Sequence, residues 1–361
     1  MRPTAVRVAA LVVLLLFSTT VLFAQSKPFE LRRGIIVDAE RAAVYIPRPE
    51  GAIEAIDLSA GRVLWTYAEA ALPLVVDGGL LVAQGEEKRP GRMPIAILDL
   101  QAGGRKVVDA VIPLPDDVRA LVADELERSF RATAQREGDS FLISWTYKET
   151  VIEGRYRAPE EPMPTRIVSG AARVQISTGR VMASPPIAPR PGTDAAAERV
   201  RAIHTLPEMP IQAGNVVAMT QGGRGEKLTL KRWDVRTAAA LPDRELSQKA
   251  IVALPSAERK FVLASERVGQ GGPQDPEYRW QIFSLESGER VGELRRDVSA
   301  APFFIHGENV VYESRPFGYR IGEVWVDEPL KIRALRLSQG VQAWDRPVRH
   351  LEYRGPVPPA R

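Results

Sequence analysis

A glycine-centred turn that recurs between strand-like runs limits this chain to a narrow set of folds. Its fullest copy is Ala55-Ile56-Asp57-Leu58-Ser59-Ala60-Gly61-Arg62-Val63-Leu64-Trp65, with degenerate copies at Gly103, Gly179, Gly288 and Gly340 and another at 234–238. Asp57 offers a side-chain oxygen to the amides ahead of it, and Gly61 takes a positive φ at little cost. Around this turn, residues 34–38, 43–47, 52–57 and 62–67 are short runs rich in Val, Ile, Tyr and Trp, and they read as four strands. A sheet this small has two apolar faces and cannot bury both alone. Units of about 40–50 residues stacked around an axis do bury them.

The expected fold is therefore all-β: a β-propeller of about six four-stranded blades, or seven if a degenerate blade lies between Gly103 and Gly179. That interval has a simpler reading. Val118, Leu121, Val122, Leu126 and Phe130 recur at helical spacing, and Asp116 and Asp117 stand at the start, where acidic groups suit a helix dipole. One amphipathic helix is expected over about 116–132, packed on the rim. The Pro-rich stretch 185–192 is a connection between blades, so 27–361 forms a single domain.

The N-terminus predicts export. Arg2 and Arg7 precede the apolar run 8–17, and 18–24 ends on the small residue Ala24, the layout of a cleaved secretory signal over 1–26. The apolar core is short for a membrane span, so no stable anchor is expected after cleavage. The mature protein is placed in the periplasm or outside the cell. With no cysteine in the chain, disulfides, thiol catalysis, thiolate metal sites and the lipid attachment of bacterial lipoproteins are all excluded. The formal charge of +4 contains Arg2 and Arg7 and shows no basic run, which argues against nucleic acid as a partner.

The segment Ala55-x-Asp57-x-x-Ala60-Gly61-x-x-x-Trp65 resembles the tryptophan-docking motif of the pyrroloquinoline-quinone (PQQ)-like β-propeller superfamily, Ala-x-Asp-x-x-Thr-Gly-x-x-x-Trp, with Ala60 departing at the Thr position. Other copies are partial: Asp99 and Gly103 lack the Trp, and Gly340 and Trp344 lack the Asp. The resemblance implies structural docking by Trp65 and Trp344, with Asp57 and Gly61 shaping the turn. The superfamily includes quinoprotein dehydrogenases and BamB-like outer-membrane assembly scaffolds. The dehydrogenases use a disulfide of adjacent cysteines, which this chain cannot make, and their calcium ligands and Asp base have no placed counterparts. No cofactor is expected, and PQQ with calcium is disfavoured.

Other chemistry is sparse. His204, His306 and His350 are far apart, and no Gly-x-Ser-x-Gly elbow is present. The glycine-rich stretches 222–225 and 269–272 lack the strand-to-helix setting of a phosphate loop. A non-catalytic scaffold that binds a protein or envelope component is expected, and a divergent quinoprotein-type or hydrolytic enzyme is the alternative. The longest connections, 85–94, 149–166, 221–227, 269–278 and 315–323, fall between second and third strands and thus on one face. They carry Arg89, Arg92, Arg155, Tyr156, Arg157, Tyr278, Arg315, Phe317, Tyr319 and Arg320, residue types that anchor protein interfaces.

Overall fold

The structure, a computed structural model, describes residues 27–125, 127–150, 165–184, 209–213, 216–221, 228–233, 240–268, 277–321 and 324–352. The first sheet holds β1 (Phe29–Arg32), β2 (Ile35–Asp38), β3 (Ala43–Pro47), β4 (Ile53–Asp57) and β5 (Val63–Tyr67). The second holds β6 (Leu72–Asp77), β7 (Leu80–Gln84), β8 (Arg92–Asp99) and β9 (Arg105–Pro113), and the third β10 (Arg128–Glu137), β11 (Ser140–Thr150), β12 (Thr165–Gln175) and β13 (Val181–Ser184). The fourth is β14 (Met209–Ala213), β15 (Val216–Gln221), β16 (Leu228–Trp233) and β17 (Ala240–Ser247). The fifth is β18 (Val252–Pro255), β19 (Phe261–Arg267), β20 (Tyr278–Ser284) and β21 (Arg290–Arg296). The sixth begins with β22 (Phe303–His306) and β23 (Asn309–Ser314), continues through an inserted hairpin of β24 (Phe317–Ile321) and β25 (Val324–Glu328), and ends with β26 (Lys331–Arg336) and β27 (Gln342–Pro347).

The described residues are thus all-β, in six sheets of four or five antiparallel strands and the inserted β24–β25 hairpin. Among the described residues, no helix is long and apolar enough to cross a membrane. The strands obey the patterns that put them there. β9 alternates, burying Val108, Ala110 and Ile112 while Val107, Asp109 and Val111 face water. β2 and β3 are buried at every position, because sheets cover both of their faces.

Among the described residues, cores lie between neighbouring sheets at every junction but that of the third and fourth. Val37, Val44 and Ile56 of the first meet Phe304, Val311, Ile332 and Trp344 of the sixth. Tyr45 and Ala55 meet Leu81, Ala83 and Leu98 of the second, and Ile97 and Val108 meet Phe130, Phe141 and Val174 of the third. Leu228 and Leu246 of the fourth pack with Ala253 and Val262 of the fifth, and Trp280 and Ile282 of the fifth with Phe303 and Tyr312 of the sixth. Sheets stacked in chain order, with the last against the first, are blades of a β-propeller. Every strand of the first and sixth sheets comes from its own stretch of chain, so side-chain docking joins the two ends.

That docking uses the repeated turn. Asp57 Oδ1 accepts the Ser59 and Ala60 amides at 3.0 and 2.7 Å, and Gly61 takes φ 68°. The Trp344 ring lies over Gly61, where a Cβ would collide with it, and Trp344 Nε1 donates to Leu58 O at 3.1 Å. Trp65 lies in the same way over Gly104, 2.5 Å from where a Cβ would stand. The sequence motif points to Gly103 in this blade, but nothing stands within 4 Å of a Cβ there. Gly104 bonds back to Asp99 O, five residues earlier, whereas Gly61 bonds back to Asp57 O, four earlier. One extra residue in the second turn moves the docking glycine along by one.

The expected helix over 116–132 is not formed. Residues 128–137 are β10, paired with β11 from Arg128↔Glu149 to Glu137↔Ser140. Its true period is two: Phe130 is buried, Ala132 and Ala134 pack on the core, and Arg131, Thr133 and Gln135 turn away. Phe130 stacks on Trp145 with ring centroids 6.1 Å apart. Upstream, Val118, Leu121 and Val122 are buried, but on irregular chain rather than a helical stripe. Leu114 N bonds Gly91 O, Gly91 N bonds Val118 O, and Gln84 Nε2 holds Ala120 O at 3.1 Å. Leu126 lies outside the described residues. Ten cross-strand pairs tie 128–137 to β11, and they complete the third sheet.

Candidate binding face

In an up-and-down sheet, the turns after the first and third strands share one end. The turn after the second strand and the link to the next sheet share the other. The hairpin β24–β25, the connection 85–91 and the link 114–125 all fall on this second end. β10, β11 and β12 are 10–11 residues long, and β13 pairs β12 only from Ala171 to Val174, so the third sheet extends as an arm.

The expected interface residues are spread around this face. Arg89 and Arg92 are exposed on the second sheet, and Arg315 is exposed just after β23. Phe317, Tyr319 and Arg320 belong to β24, opposite Glu328, Val326 and Trp325 of β25. Tyr278 opens β20, but it is half-buried and packs on the core between the fifth and sixth sheets. Arg155, Tyr156 and Arg157 lie outside the described residues, as does the proposed signal at 1–26. These positions form a crown on separate sheets, not one cluster.

A cluster does form elsewhere on this face, from residues that no sequence motif connects. The β1–β2 turn places Arg32 and Arg33 where the first, second, third and sixth sheets converge. Arg32 donates to Glu313 at 2.7 Å and to Glu352 at 2.5 Å. Arg33 donates to Asp124 at 2.9 Å and to the carbonyls of Val122 and Phe130 at 3.3 and 2.5 Å. Arg349 pairs with Glu86, and Arg119 with Glu87. The partners of Arg32 are 281 and 320 residues away in the chain, so no local pattern could reveal them. The adjacent Arg32-Arg33 before Gly34 was the one available signal.

Burial sets the electrostatics of this cluster. The Glu313 side chain is 2% exposed, and loss of water pushes its carboxyl above the usual range, with Arg32 only partly opposing this. Arg33 is held below its ordinary value by burial, with Asp124 opposing. His350 is held low by burial and then by Arg32, which favours the neutral imidazole. Arg32, Arg33, Glu313, His350 and Glu352 surround a cavity of about 10 Å³, too small for a ligand while the segment 348–352 is in place.

On the opposite face, the seam between the sixth and first sheets opens into a polar cavity of about 740 Å³, lined by Ser59, His306, Glu308, Asn309, Arg336 and Gln342. His306 is half-buried, and burial lowers its pKa against the pull of Asp57. Among the described residues, no group of three or more His, Asp or Glu is arranged to hold a metal ion.

No family model matches the chain. No curated protein matches it either. Among solved structures it is similar to a europium-containing methanol dehydrogenase, at 13% identity and TM-score 0.25, over 85% of this chain and 67% of that one. It is also similar to the dihydro-heme d1 dehydrogenase NirN, at 12% and 0.29 over 90% and 67%, and to the quinohemoprotein alcohol dehydrogenase of Comamonas testosteroni, at 10% and 0.28 over 90% and 68%. These likenesses are too slight to assign a cofactor, a substrate or a reaction.

Proposed function

We propose that the chain is a six-bladed, PQQ-like β-propeller exported after cleavage of 1–26, and that it acts as a non-catalytic scaffold. It binds a protein or cell-envelope component through its long-loop face. The observation that supports this most is the asymmetry of the ring. One face carries the extended arm of the third sheet, the inserted β24–β25 hairpin and the central arginine cluster, while the other carries the short turns around Gly61, Gly104 and Gly340. Elaboration gathered on one face of a repeat array is how such arrays present a partner site.

The test is affinity capture from envelope extract with the mature protein. A specific partner should be retained, and it should be lost when Arg89 and Arg92 are reversed to Glu or the β24–β25 hairpin is shortened. Capture should survive changes at Glu308 and Arg336 on the other face. Loss only through the latter pair would invert the assignment of faces. Dye-linked turnover that depends on added PQQ and calcium would replace the scaffold with an enzyme.

A further inference from the structure

After β27 the chain leaves the sixth sheet and crosses the long-loop face as Val348–Glu352, held at every step. Val348 N donates to Leu330 O at 2.9 Å, Arg349 N to Pro47 O at 2.8 Å, and Leu351 O accepts from Asp124 N at 2.7 Å. Leu351 is buried with Ala71, Leu72 and Val122. Its seat exists because residue 34 is a glycine: a Cβ there would meet Leu72 and Leu351, and Gly34 holds φ 77°. Arg349 pairs with Glu86 over Gly51, and Glu352 pairs with Arg32.

Backbone bonds that give affinity, a side-chain pocket and charged partners that give direction are the parts of a peptide-recognition groove. Here they come from the first, second and sixth sheets and the link 114–125, and a segment of the same chain fills them. The two carboxylates on Arg32 differ in kind. Glu313 is buried and fixed, whereas Glu352 is 46% exposed and stands on irregular chain. Glu86, the partner of Arg349, is 44% exposed. The carboxylate end of the segment is therefore the readily exchanged one, while Arg349, only 15% exposed, leaves with the segment as a whole, and the leucine pocket and the Arg32–Glu313 pair belong to the groove itself.

We propose that this groove is a binding site for extended peptide segments of a partner protein with the pattern Arg-x-Leu-Glu, and that Val348–Glu352 occupies it in cis. The inference rests on reading the long-loop face as the binding surface. The partner segment seats its leucine against Gly34, Leu72 and Val122, sets its carboxylate on Arg32 and its arginine on Glu86, and displaces the resident segment.

The experiment uses the full chain and a fluorescent, C-terminally amidated peptide of sequence Arg346–Glu352, followed by anisotropy. A tethered competitor acts at an effective concentration near millimolar, so the wild type should bind the peptide at least about tenfold more weakly than Leu351→Ala or Glu352→Gln, whose resident segments are loosened. Peptides with Leu replaced by Ala, or Glu by Gln, should each bind the variants about tenfold more weakly, as loss of a buried leucine or of a charge-assisted hydrogen bond requires. If Leu351→Ala does not melt cooperatively, Glu352→Gln decides, since it keeps the size of the side chain and removes only the charge that Arg32 meets at a half-exposed site. Equal binding by wild type and variants, or indifference to the peptide's Leu and Glu, overturns the proposal. Partner capture from extract without peptide exchange removes the groove but leaves the scaffold standing; peptide exchange without capture does the reverse.

Discussion

Trp344 closes the ring on Gly61. The indole covers the glycine where a side chain would otherwise stand, and its Nε1 donates to Leu58 O at 3.1 Å, across 286 residues of sequence. Arg346 adds bonds to Gly61 O at 3.0 and 2.5 Å. Trp344 is 7% exposed, whereas Trp65, over Gly104 at the next junction, is half-buried. Trp344→Ala should therefore cost about 3–5 kcal/mol, and Trp65→Ala less. Urea denaturation of both variants checks the order, and equal losses would mean that the seam is no more dependent on its tryptophan than other junctions are.

The paired glycines of the second turn separate conformational strain from crowding. Gly103 and Gly104 hold φ 66° and 77°, but only Gly104 faces an indole. Gly103→Ala should cost about 1 kcal/mol for its left-handed backbone. Gly104→Ala adds the displacement of Trp65 and should cost about 2–4 kcal/mol. A larger loss at Gly103 would restore the register that the sequence motif suggests.

Arg33 is expected to be the most costly surface-facing arginine to remove. Its loss takes this donor from the Val122 and Phe130 carbonyls and leaves Asp124 only the more distant Arg131, in a site where the Arg33 and Asp124 side chains are mostly buried. Arg33→Ala should cost about 3–5 kcal/mol. Arg295, paired with Glu277 in open solvent, should change stability by less than about 0.5 kcal/mol on the same substitution. Comparable losses at the two sites, measured by thermal melting, would remove the special weight given to the central cluster.

Glu258 gives a pH-dependent prediction. It accepts the Ile305 amide at 3.0 Å, yet burial raises its carboxyl above the usual range, with backbone bonds opposing. A raised folded-state pKa contributes stability that is complete below the unfolded value and is lost as pH rises through the folded value. Glu258→Gln keeps an acceptor for Ile305 without the charge. It should raise the melting temperature at pH 7–8 and leave it nearly unchanged near pH 4. A uniform shift at both pH values would mean that packing, not ionisation, separates the two proteins.

Much of the architecture was legible along the chain. Runs of Val, Ile and Tyr bounded by Asp-Gly turns named most strands, because a strand's burial pattern and a turn's backbone needs are local properties. Asp57 capping its own turn, and the long connections falling after second strands, are of this kind. Residues 116–132 misled for a local reason as well. Phe130 and the apolar positions before it fit a helical spacing, and only the partner strand Ser140–Thr150 shows that the period from Arg128 onward is two.

By itself, then, the sequence determined an all-β chain of repeated sheets, the turns that join their strands and the tryptophan suited to dock between them. Tertiary structure decided which glycine each tryptophan covers, because one extra residue in a turn shifts the contact without altering the composition. It also decided the central cluster. Arg32, Glu313 and Glu352 are strangers in sequence, and they meet only because the last sheet stacks on the first and carries the following segment across the face. Contacts made by closing a ring depend on the sum of all the blades between, and no window of residues contains that sum.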